Sequence, residues 1–190
     1  MAAKSSKGSD FTVTSPTPPH LPRSARSDLT DLLGSVPQAV PPVDWAQVEH
    51  RLGFSVPPDY RSWAATYPQI TIDGFLTVFH PAAPAPNLFT ADALLDFDRA
   101  LRDVDPDDIP YPLHPEPGGL YPWGTTANTH RLHWYPTRGH IVVIGRAGNW
   151  EWPGTMSEFL SGILTRQLIC PLFPANFPSP GFTTQAYQAR

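Results

Sequence analysis

The sequence predicts an α+β fold: one domain with a mostly antiparallel central sheet flanked by helices, carried behind a disordered N-terminal tail. Three observations predict it. Capped stretches with apolar residues at helical spacing come early and late in the chain. β-prone runs joined by turn residues fill the middle. The single long proline- and serine-rich stretch lacking any hydrophobic period lies at the N-terminus. Helices first, then an antiparallel sheet, then a closing helix is an α+β order.

Residues 1–42 read as the tail, because "SPTPPHLPRSAR" cannot bury enough surface to offset the entropy of ordering it. Within them only "SDLTDLLGS", Ser27 to Ser35, offers a helical turn, with Leu29, Leu32 and Leu33 on one side. The domain spans 43–174. Asp44 caps a first helix, with Gln47 three residues on; Trp45, Val48 and Leu52 share a face, and Gly53 stops it. A second helix opens near Pro58 or Asp59, presents Tyr60, Trp63, Ala64 and Tyr67, and ends at Pro68. In "ITIDGFLTVFHP" the Asp73-Gly74 pair marks a hairpin or bulge between two β-prone runs.

After the loose loop "PAAPAPN", a third helix is expected in "TADALLDFDRALRDV", with Leu94, Phe97, Leu101 and Val104 as its apolar face and Pro106 beyond its end. "RLHWY", "HIVVIGR" and "NWEWP" read as strands. "TMSEFLSGILTRQ" closes the domain as a helix, with Thr155 and Glu158 forming a capping box and Phe159, Leu160, Ile163 and Leu164 facing the core. Residues 175–190 read as an irregular C-terminal tail.

Composition narrows the function classes. A net charge of -4 argues against binding nucleic acid or anionic membranes through bulk charge. No apolar run reaches the roughly 18 residues of a membrane span. "MAAKSSKGSD" carries no apolar stretch of the secretory type, and the one cysteine, Cys170, suits a reducing compartment, so a cytoplasmic location is expected.

The chemistry-bearing motifs are few. His130 and His133 stand three apart, which serves a metal on a helix but not in a strand, where they face opposite sides; solvated strand histidines are expected, and no metal. "DVDPDD" opens like a calcium loop, but Asp108 stands where glycine is needed and His114 where the closing Glu is needed. Cys170 has no activating neighbour and reads as a small buried side chain. No serine lies in a nucleophile elbow and no glycine-rich loop cradles a phosphate, so no catalytic residue and no cofactor is expected.

Charge asymmetry is the outstanding feature. Between Thr90 and Glu116 stand eight acids against Arg99 and Arg102, a local balance of -6. Either these acids form a solvated helix face and loop, or Asp98, Asp105, Asp107, Asp108 and Glu116 form a negative surface that steers and holds a basic protein.

From Trp45 onward, over about 130 residues, the chain resembles the SUKH superfamily, which includes the yeast SMI/KNR-type cell-wall regulators and many bacterial immunity proteins. The parts that resemble it occur in family order. Trp45 and Glu49 in the first helix lead to Leu52-Gly53, then to Pro57, Pro58 and Tyr60. Pro122-Trp123-Gly124 follows, with Leu132-His133-Trp134 downstream and Glu158-Phe159-Leu160 in the closing helix. The chain departs from the family pattern at Asn128-Thr129, where an Asn-Gly turn is usual, and in its proline-rich additions.

The resemblance implies a non-enzymatic protein-binding domain. Its most direct form is an immunity protein that covers the active surface of a cognate toxin, possessing an acidic face because nuclease-type toxins are basic where they meet nucleic acid. The alternative within binding proteins is a regulatory scaffold, and from another class an enzyme with a pocket the sequence does not advertise. The stretch "LYPWG", Leu120 to Gly124, is open to two readings, an exposed anchor or a buried corner. The polar "TTANT" after it and the ordered family match favour the corner, with Tyr121, Pro122, Trp123 and Gly124 as structural residues beside Trp134. Gly124 is expected there at positive φ.

Overall fold

A computed structural model describes residues 29–83 and 90–187. Most of the expected "PAAPAPN" loop, and residues 1–28 of the expected tail, lie outside the described residues. The described elements are helices α1 (Leu29–Leu33), α2 (Trp45–Leu52), α3 (Pro58–Ala64), α4 (Ala91–Val104) and α5 (Met156–Leu164). The strands are β1 (Ile70–Ile72), β2 (Leu76–Val78), β3 (Tyr121–Thr126), β4 (Arg131–Tyr135), β5 (His140–Gly145), β6 (Gly148–Pro153) and β7 (Thr184–Ala186). All seven strands form one antiparallel sheet in the order β6-β5-β4-β3-β2-β1-β7. The fold is α+β.

Local chemistry sets the ends of the elements. The Asp44 carboxylate accepts the Gln47 N–H, and Gly53, in the left-handed region, donates its N–H to the Glu49 carbonyl. That is the cap geometry glycine takes without a Cβ penalty. Thr155 and Glu158 complete a reciprocal capping box at the start of α5. Asp73 and Gly74 both take positive φ in the turn between β1 and β2.

β4 shows how the layers lie. Side chains alternate across a strand, and on one face Trp134 meets Tyr60 of α3 with ring centroids 4.7 Å apart. Cross-strand neighbours on that face reach Trp152, which packs on Phe159 of α5. On the other face His133 meets Asp98 of α4, and Tyr135 packs edge-on to Tyr111 in the connection that follows α4. The sheet is therefore covered by α3 and α5 on one side and by α4 with its acidic connection on the other.

Several expectations change. α4 forms where the sequence places it, but its phase differs. Leu95 and Asp98 face the sheet, while Phe97 is 51% and Val104 86% exposed. His130 and His133 are buried rather than solvated, because β4 is covered on both faces and the His130 ring bonds to the Thr126 hydroxyl. The segment expected as tail contributes α1, whose Leu33 is buried, and the Gly34 carbonyl accepts the Tyr67 hydroxyl. The expected irregular C-terminus supplies β7, which pairs with β1 and closes that end of the sheet.

Within "LYPWG", Leu120 and Trp123 are fully buried and Tyr121 nearly so. Trp123 occupies a bulge between Pro122 and Gly124 and packs edge-on to Phe159 at 6.0 Å. Gly124 is not at positive φ. A Cβ there would stand 2.7 Å from the Thr77 carbonyl oxygen, so glycine is required by the close approach of β2.

Candidate functional site

The residues of the family resemblance come together as an aromatic spine on the α3–α5 side. Trp45 packs edge-on to Tyr60, Tyr60 to Trp134, and Trp134 stacks on Tyr121 at 6.3 Å. Leu160 lies buried on α5 beside this core, and Pro57 stands at the N-cap of α3. Glu49 ties α2 to α3: its carboxylate accepts the Val56 N–H at 2.6 Å and pairs with Arg61, whose guanidinium lies over the Trp45 ring. The hydrogen bond from Arg61 holds the Glu49 carboxyl below its ordinary range. These residues position the fold.

Between α2, α4 and the ends of β2 and β3 opens a cleft of about 400 Å³. Its ionisable groups each have a partner. Tyr121 donates its hydroxyl to one Asp92 oxygen at 3.1 Å, and Arg51 donates to the other at 2.7 Å. Burial, and then the Asp92 charge, push the Tyr121 hydroxyl well up. The His80 ring is held at both nitrogens. Nε2 lies 3.0 Å from the Ala64 carbonyl and donates to it, while Nδ1 accepts the Ala82 N–H at 3.2 Å. Burial moves His80 down from its ordinary value, which keeps the ring neutral.

The acidic segment divides into two populations. Asp98, expected on the negative surface, is fully buried: its carboxylate pairs with Arg131 and lies 2.7 Å from His133 Nε2. An unpaired carboxylate could not remain charged there, so this one is spent on holding α4 to β4. Glu116 is exposed but pairs with Arg102, and that hydrogen bond holds its carboxyl below the usual range.

Asp105, Asp107 and Asp108 are exposed, as is Asp103, and none of the four forms an ion pair with a described residue. Asp105 accepts the Asp107 N–H at 3.1 Å, which folds the start of the loop into a local turn. The α4 helix continues this surface, since Asp96, Phe97, Ala100, Asp103 and Val104 all lie on its exposed side. Helical periodicity places Phe97 and Val104 in the core, whereas the structure leaves both exposed. The partners of Asp98, Arg131 and His133, lie more than thirty residues downstream, and no local pattern announces them.

The acidic loop also reaches the edge of the sheet. The Asp108 carbonyl accepts the Asn149 side-chain amide of β6 at 3.1 Å, an approach between residues that no local pattern links.

Cys170 is buried, and burial pushes its thiol up to about 12, which leaves it unreactive at neutral pH. Among the described residues no group of three or more His, Cys, Asp or Glu side chains is placed to hold a metal ion, and no helix is long and apolar enough to cross a membrane. Compared with family models, curated proteins and solved structures, the chain matches none of them.

Proposed function

We propose that the chain is a non-enzymatic protein-binding domain of the SUKH kind. It acts in the cytoplasm as an immunity protein, neutralising a cognate toxin with a basic, nuclease-type surface by covering it. The supporting observation is the set of exposed carboxylates at Asp103, Asp105, Asp107 and Asp108, which have no basic partner among the described residues, while Asp98 and Glu116 are neutralised internally. Beside them Phe97 and Val104 give an apolar centre, so a basic partner would gain both steering and buried area.

No reaction is required of this surface. Occlusion asks only that the partner's substrate groove be filled with like charge to its substrate.

Co-expression with a toxin encoded beside this gene tests the reading. Cells are expected to survive. Replacing Asp105, Asp107 and Asp108 with asparagine should slow association about tenfold at low salt and much less at high salt, since steering is screened. Killing of cells that express the intact chain would defeat the reading for that toxin.

A further inference from the structure

β6 is an outer strand of the sheet, and among the described strands it pairs with β5 alone. Its pairing fixes which way its backbone points. The turn between β5 and β6 is closed by Gly145 opposite Gly148, and the Gly154 N–H donates to the Gly139 carbonyl at the far end of the same register. Residues at these positions, and at every second position between them, exchange bonds with β5. Asn149 and Glu151 fall on the intervening positions, so their N–H and C=O groups point away from the sheet. Neither has a backbone partner among the described residues.

A free edge is a template for another strand, and the chemistry beside this one is polarised. On the α4 side of β6 stand Glu151 and, through the Asn149–Asp108 hydrogen bond, the acidic loop. Arg138 and His140 share Glu151, so the unneutralised carboxylates here are Asp107 and Asp108. On the opposite side lies Trp150, half-buried, with its ring against Phe159.

We infer that the β6 edge, from Asn149 to Glu151, receives an extended basic segment of a protein partner as an added strand. Its cationic side chains lie beside Asp107 and Asp108, and its apolar side chains beside Trp150. The inference rests on the protein-binding reading above and specifies how that partner engages. Main-chain hydrogen bonds supply affinity, and the alternation of charge and apolar surface supplies selectivity. A second copy of this chain is the poorer occupant, because symmetric antiparallel pairing about Glu151 brings two acidic loops, each carrying Asp107 and Asp108, to the same side of the joined sheet.

The test uses the full chain and a labelled ten-residue peptide of alternating lysine and valine. One control replaces lysine with glutamate; another keeps the lysines but N-methylates alternate residues, removing strand donors. Binding is read by fluorescence anisotropy, and amide exchange at Asn149 and Glu151 is read by NMR. The lysine peptide should bind and slow exchange at both amides at least tenfold, while both controls bind at least tenfold more weakly.

Glu151→Pro removes an outward N–H without touching the β5–β6 ladder. It should weaken the lysine peptide at least tenfold, against about twofold for Glu151→Gln. Binding with unchanged exchange at Asn149 and Glu151 overturns the edge inference. If Asp105, Asp107 and Asp108 nevertheless govern that binding, the acidic-surface reading survives. A lysine peptide that binds no better than the glutamate peptide overturns both. Protection that appears without peptide and grows with protein concentration assigns the edge to a second copy and overturns the inference.

Discussion

Asp98 on α4 and His133 on β4 meet 2.7 Å apart in the interior, with neither side chain exposed to solvent. Arg131, one turn of the pleat away on the same strand face, pairs with the other carboxylate oxygen. One carboxylate therefore joins the helix that carries the acidic surface to the centre of the sheet. Its removal leaves two buried cationic or polar partners unmatched.

Asp98→Ala is expected to destabilise the fold by about 3–5 kcal/mol, the usual cost of stranding one member of a buried ion pair. Urea denaturation measures it. Replacing both members, Asp98→Leu with Arg131→Met, should recover part of the loss, because the buried guanidinium is then removed together with its carboxylate.

Trp123 is fully buried against Phe159. Trp123→Ala should cost about 3–5 kcal/mol through lost burial and the cavity left behind. Chemical denaturation gives the number. A variant that kept its melting temperature and lost only partner binding would contradict the corner reading.

Gly124→Ala places a methyl group 2.7 Å from the Thr77 carbonyl oxygen, and that oxygen belongs to backbone that cannot swing aside. A loss of about 1–3 kcal/mol is expected from the forced separation of β2 and β3. It should appear as a lower unfolding midpoint with faster exchange of amides in β2.

His80 titrates below its ordinary value in the folded chain because it is buried. The unfolded chain, with a histidine near pH 6.5, then binds more protons than the folded one in mild acid. The His80 contribution is complete above about pH 6.5 and is lost as pH falls toward the folded value. His114 and His130, also lowered by burial, act in the same direction. Unfolding free energy should therefore fall from pH 7 to pH 5, and His80→Gln should flatten that slope. An unchanged slope in the variant would show that His80 does not carry it.

What could be read from the chain was what its neighbours decide. The caps at Asp44, Gly53 and Thr155 depend on partners within four residues, and each forms as expected. The apolar face of α5 is likewise local, and Phe159, Leu160, Ile163 and Leu164 are all buried. The phase of α4 departs from its hydropathy pattern for the complementary reason. Hydropathy favours Phe97 and Val104 as core positions over Asp98, and only the charged face of β4 reverses that preference. "RLHWY" does alternate Arg131 and His133 with Leu132 and Trp134, a pattern that looks the same whether its polar face meets water or a buried carboxylate.

The sequence by itself determined most of the helices and strands, though not β3 or β7, together with the caps, the aromatic residues of the spine and the acidic character of the segment around residue 105. Those follow from backbone preferences, side-chain periodicity and composition. Only the tertiary structure decided which acids are free. It buries Asp98 beneath α4, pairs Glu116 with Arg102, leaves Asp105, Asp107 and Asp108 exposed, and brings their loop to the unpaired edge of β6. The physical reason is that a carboxylate's role depends on which cation or solvent it meets, and such meetings join residues far apart in the chain.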